Sequence, residues 1–169
     1  MNELTRLVRA LLLDEFKDFD QRLEKLYRLQ RQDGFGDFLD ACFLMAVRRR
    51  FTVDQPVVDI IRFVANVRIV YDLTGLEIDP GTAERMIRAA LGETELLTDV
   101  DPEARWKIQV ILVHRLINDQ DLTEEEVDDF LQTAHNLAVQ WRTQRAVAML
   151  EALGYTVKLP AAALASAAS

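Results

Sequence analysis

VVDIIRFVANVRIVYDL, residues 57–73, is the stretch whose reading decides the fold, because it is the segment most nearly apolar on every side. Wound at about 100° per residue, it places Ile60, Phe63, Val64, Val67, Val70 and Tyr71 on one broad face and Val58, Ile61 and Ile69 on the back. Two narrow polar seams separate the faces. Asp59, Arg62 and Asn66 form one at i, i+3 and i+7, and Arg68 and Asp72 form the other at i, i+4. A helix apolar on two faces is normally a central one with neighbours on both sides. The expected fold is therefore all-α: a single-domain, orthogonal or irregular bundle of six to seven helices around a central buried helix at residues 57–73, with no sheet.

Working outward, punctuation is sparse. Only 6 Gly and 4 Pro occur in 169 residues, so the regular elements are long, and the abundance of Ala, Leu, Arg and Glu makes them helices. Upstream, Leu4, Leu7, Val8, Leu11 and Leu12 repeat at helical spacing, and Phe16, Phe19, Leu23, Leu26, Tyr27 and Leu29 continue the pattern beyond a bend expected near Asp14–Asp18. The run Asp33-Gly34-Phe35-Gly36 reads as a turn. It lacks the spacing of a phosphate-binding loop. Asp37 is then the expected cap of a helix running through Phe38, Leu39, Cys42, Phe43, Ala46 and Val47 to Arg48-Arg49-Arg50, three cations suited to a helix C-terminus.

Thr52 with Gln55, or Asp54 with Pro56, opens the central helix, and Gly75 is its expected end. Downstream, Asp79-Pro80 and Asp101-Pro102 each place a capping carboxylate before a first-turn proline. Gly92 closes the first of these helices. The second, with Trp106, Val110, Val113 and Ile117 in one stripe, is expected beside the central helix. Thr123 and Glu126 are spaced as a capping box for a last helix whose apolar side includes Val127, Phe130, Leu131, Ala134 and Ala138. A kink is expected near Arg142–Gln144, and an end at Gly154. Residues 1–154 are read as the helical domain, and 155–169, ending in AAALASAAS, as a short extended segment with a low-complexity flexible tail.

Half the residues are hydrophobic and 28% are charged, the balance of a globular chain long enough to bury a core. Twenty basic against 28 acidic side chains leave a net charge of −8, which argues against sequence-independent nucleic-acid binding and accommodates a basic protein partner. No run approaches 18 uncharged apolar residues, so no membrane span is expected. Glu3, Arg6 and Arg9 interrupt any secretory pattern, and a lone cysteine, Cys42, forms no internal disulfide. A reducing, cytoplasmic setting is the expectation.

Chemistry-bearing motifs are few. Asp119, Asp121, Thr123 and Glu125 imitate the start of a calcium loop, but Glu124 and Phe130 occupy the places of its glycine and its bidentate glutamate. His114 and His135 lie on different helices with no metal-binding partner at i+3 or i+4, so no metal or cofactor is expected. No nucleophile elbow, HExxH or dinucleotide fingerprint is present. The sequence therefore points to a non-enzymatic helical protein–protein interaction module: an adaptor, a regulatory domain or an acidic neutralising binder. Two alternatives carry residues of their own. A ligand-binding or enzymatic bundle would use Asp59, Arg62 and Asn66, joined by His114, and a nucleic-acid module would join Arg48, Arg49 and Arg50 to Arg62 or Arg68 in one basic stripe. A homo-oligomer is open, since one apolar face of the central helix is available as an interface.

Overall fold

The structure is a computed structural model that describes residues 2–29, 33–72 and 77–157. Seven α-helices occur among them: α1 (Glu3–Leu12), α2 (Phe16–Arg28), α3 (Phe35–Arg50), α4 (Val57–Asp72), α5 (Pro80–Ala90), α6 (Pro102–Asn118) and α7 (Glu124–Ala152). A single 3₁₀ turn at Thr94–Leu97 links α5 to α6. No strand occurs among the described residues. Residues 73–76, with the expected stop at Gly75, and the tail from 158 lie outside the described set.

Local chemistry sets most of the boundaries. The Asp79 carboxylate accepts from the Thr82 N–H at 2.7 Å, and that of Asp101 from the Ala104 N–H at 2.8 Å, each with proline following in the first turn. Thr123 and Glu126 close both halves of a capping box. Gly154 ends α7 with φ +87°; its N–H reaches the Glu151 carbonyl and the Tyr155 N–H that of Leu150, a paired closure that needs the left-handed conformation glycine adopts without strain. The bend between α1 and α2 falls at Asp14, which takes φ +59°. Two expected boundaries differ. α3 begins three residues early, with Gly34 at the cap position and no side-chain cap, while Asp37 sits inside the first turn and pairs with Arg145 of α7 at 2.5 Å. α7 runs unbroken through Arg142–Gln144, where a kink was expected; no proline or glycine interrupts its hydrogen bonds there.

The larger correction concerns the centre. The helix at the heart of the bundle is α3, which packs against α7, α6 and α5. Phe38, Leu39, Ala41, Cys42, Ala46 and Val47 are all essentially inaccessible, and they cover most of the helix circumference. Small side chains at 41, 42 and 46 let neighbouring backbones come close, so burial there depends on proximity rather than on bulk. By contrast, α4 packs on α5 and lies at the edge. Its inner side, Ile60, Phe63, Val64 and Val67, is buried as read from the sequence, but Val70 is exposed and so are Val58, Ile61 and Ile69 of the back face.

Polar ties lock the remaining helices. Arg9 of α1 donates to Asp128 and Glu124 of α7 at 2.6 and 2.7 Å. Asp40 of α3 accepts from Arg105 and from the buried Gln109 of α6, at 3.0 and 2.8 Å. The Cys42 thiol, wholly buried in α3, has its pKa pushed far up by desolvation, which makes it inert. His114 of α6 joins three elements: its Nε2 lies 2.8 Å from the Asp14 carboxylate, and its Nδ1 contacts the Tyr71 hydroxyl at the end of α4.

Candidate interaction face

The open side of α4 carries a stripe of aliphatic groups. Val58, Ile61, Ala65 and Ile69 fall within about 80° of one another on a helical projection. The first two are 48% exposed and Ile69 is 67% exposed. Val57 extends the stripe toward the N-terminus, and Val53 stands exposed in the turn before it. Scattered single apolar residues need no explanation on a protein surface, but an ordered stripe along about three turns of one helix does.

The polar seam read from the sequence borders this stripe. Asp59 spends both oxygens along its own helix end, one accepting from Gln55 at 2.8 Å and the other from Arg62 at 3.2 Å. Arg62 and Asn66 stay exposed. The three residues thus stand together as a surface seam, and none of them lines any of the clefts described below. His114 is not joined to them; its partners are Asp14, Tyr71 and, at 3.0 Å, the Asn118 amide.

Arg48, Arg49 and Arg50 diverge. The first donates to the Ala90 carbonyl of α5 at 3.3 Å, the second lies over the Phe130 ring of α7 at 5.8 Å, and the third over Phe63 of α4 at 5.7 Å. Cation–π contacts of this kind tie the end of α3 to its neighbours. The three side chains reach three different helices and do not form one stripe with Arg62 and Arg68.

At its C-terminal end the α4 stripe runs into charge. Arg68, adjacent to Ile69, lines a cleft of about 860 Å³ formed with the starts of α5 and α6. Glu77, Asp79, Asp101 and Glu103 also line it, against a single further cation, Lys107. Asp79 and Asp101 each use one oxygen as a helix cap. Hydrogen bonds from Thr82, side chain first and backbone second, hold the Asp79 carboxyl below the usual carboxylate range, so it is fully charged at neutral pH. Lys107 is committed to Glu103 at 2.7 Å. Among the described residues, four carboxylates against two cations leave the cleft acidic.

The sequence pattern picked out Val58, Ile61 and Ile69 of this face but assigned them to a buried back; Ala65, Val57 and Val53 were not part of that reading. No group of three metal-binding side chains occurs among the described residues, and no helix is long and apolar enough to cross a membrane. Comparison with protein-family models, with curated proteins and with solved structures found no match.

Proposed function

We propose that the protein is a non-enzymatic interaction module that holds a basic amphipathic helix of another protein. The partner's apolar side lies along Val58, Ile61, Ala65 and Ile69, and its lysines or arginines reach the carboxylates at the starts of α5 and α6. The observation that carries this reading is the continuity of the exposed α4 stripe with the acidic cleft, which share the Ile69–Arg68 corner. Apolar burial supplies affinity, about 1.5–3 kcal/mol for each aliphatic side chain taken fully from water. The charges supply orientation and speed of encounter, in line with a net charge of −8. Such a chain would act in a cytoplasmic, regulatory setting by occupying its partner.

The test is affinity capture with three baits: the wild type, an Ile61→Glu/Ile69→Glu form, and an Arg48/Arg49/Arg50 triple-Ala form. The captured protein is then purified and titrated by calorimetry at two salt concentrations. A basic partner that binds the wild type stoichiometrically, binds the double-Glu form at least tenfold more weakly and weakens with salt is the expected result. Equal binding to the double-Glu form overturns it. Nucleic acid captured by the wild type and lost in the triple-Ala form would replace it with the nucleic-acid reading. A second copy is a further occupant to separate, because Ile61 and Ile69 stand symmetrically about Ala65 and match each other in an antiparallel pair; sedimentation of the free chain distinguishes the two.

A further inference from the structure

On the side of the bundle formed by α1, α2 and α7, Arg142 presents a guanidinium that has no ion-pair partner among the described residues. Its Nε is fully buried without a hydrogen-bond partner, and no carboxylate or carbonyl takes a bond from the side chain among the described residues. Among the described residues Arg115 Nε is buried in the same way, but its side chain pairs with Asp119 at 2.8 Å. Arg9, Arg22, Arg62, Arg88, Arg105, Arg115 and Arg145 each have a carboxylate within 4 Å. A partly buried cation without a partner costs stability unless something else satisfies it.

Arg142 lines a cavity of about 320 Å³, near the lower end of the range for small-molecule sites and room for about ten water molecules. One part of its wall is polar: Arg142, Lys25, Arg22 and His135. Arg22 is occupied by Asp18 at 2.5 Å, whereas Lys25 has no carboxylate partner among the described residues. The Asn2 side chain holds the His135 ring in place. Its Oδ1 accepts from Thr5, which turns its Nδ2 toward His135 Nδ1 at 3.2 Å. The other part of the wall is aliphatic, from Leu4, Leu7, Leu26 and Leu29. The Arg142 guanidinium also lies directly over Gly34, where any Cβ would collide with it; Gly34 opens α3 without a side-chain cap, so the positive end of that helix lies alongside.

We propose that this cavity binds a small organic carboxylate, its anionic head on Arg142 and Lys25 and its apolar body along Leu4, Leu26 and Leu29. A single negative charge is preferred over a phosphate dianion, because Glu3 and Asp33 also line the cavity and repel the second charge. The aliphatic half of the wall requires an apolar body, which inorganic anions lack. The site is separate from α4, so it stands or falls independently of the partner-binding reading.

The probe is octanoate, of about the size the cavity admits, compared with 1-octanol, acetate and inorganic phosphate by calorimetry and by ¹⁵N chemical-shift mapping on the full chain. The expected result is an octanoate Kd of about 10 μM to 1 mM, with shifts confined to α1, α2 and the 135–142 segment, and with the other three probes at least tenfold weaker. Arg142→Gln should weaken octanoate tenfold or more while leaving the melting temperature of the free protein unchanged or higher, since an unsatisfied cation is removed. Lys25→Gln should weaken it a few-fold, and Ile61→Glu/Ile69→Glu should bind octanoate as the wild type does. Phosphate or octanol binding as well as octanoate, undiminished binding by Arg142→Gln, or no binding at 10 mM would each overturn the proposal. So would an Arg142→Gln melting temperature more than about 5 °C lower, which would assign Arg142 a structural role.

Discussion

The Asp14 carboxylate and the His114 Nε2 stand 2.8 Å apart across one hundred residues of sequence, joining the α1–α2 corner to the middle of the bundle. Asp14 does this from φ +59°, a conformation that aspartate tolerates better than alanine. Both features can be separated by substitution. Asp14→Gly loses the contact but relieves the backbone, whereas Asp14→Ala loses the contact and keeps the strain. The expected order of stability is wild type, then Gly, then Ala, with the Ala form about 1–3 kcal/mol below the wild type. Urea unfolding of the three proteins measures it, and an Ala form as stable as the Gly form would contradict the backbone argument.

The two sides of α4 should respond oppositely to charge. Val64 and Val67 are 2% and 0% exposed, so replacing either with Asp buries an unpaired carboxylate and should cost more than about 4 kcal/mol, enough to unfold a domain of ordinary stability. The same substitution at Ile61 or Ile69 places the charge in water and should change stability by less than about 1 kcal/mol. Circular-dichroism melts of the four variants decide it; unfolding by Ile69→Asp would mean that the outer face is covered within the chain.

Acid should reveal the caps. Asp79 has a folded pKa depressed by its bonds from Thr82, and Glu126 has one depressed by the Thr123 N–H and hydroxyl. A depressed carboxyl contributes its full stabilisation above its unfolded value, about 4, and loses it as pH falls through the folded value. Asp79→Ala should therefore cost about 1 kcal/mol at pH 7, a difference that shrinks at pH 3. Equal penalties at both pH values would show that charge contributes nothing to the cap.

Alkali tests the other end of the His114 chain. Burial pushes the Tyr71 pKa up to about 12. For an acid raised in the folded state, the stabilisation is complete below the unfolded value of about 10 and disappears as pH rises toward 12. Tyr71→Phe should cost about 0.5–1.5 kcal/mol at neutral pH by removing the bond to His114. The absorbance of tyrosinate, as wild type minus this variant, should rise late, with its midpoint near the raised value. A rise centred at 10 would place the hydroxyl in water.

How far this architecture was legible follows from the kind of signal each part leaves. Asp79, Asp101, Thr123 and Gly154 act through bonds to residues within five positions, and short-range chemistry is written in short-range sequence. The central position of α3 left no comparable trace. Ala41, Cys42 and Ala46 are small, and Asp37, Asp40 and three arginines share their helix, so its pattern looks less apolar than that of α4. Which helix is surrounded depends on long-range packing, and β-branched bulk in α4 imitated it. The Asp59–Arg62 pair was readable as an i, i+3 contact. The Arg142 cavity was not, because its walls come from helices more than a hundred residues apart.

The small residues of α3 also set what the chain tolerates. Where two backbones meet across alanine, an added methylene has no rotamer to escape into, and the cost falls on the neighbouring helices rather than on the substituted side chain. Positions 41, 42 and 46, wholly inaccessible, therefore have little room for a larger side chain. In a library of random variants selected only for folding, they should stay confined to alanine, serine, glycine and cysteine, while the outer α4 positions drift freely unless a partner is present to constrain them.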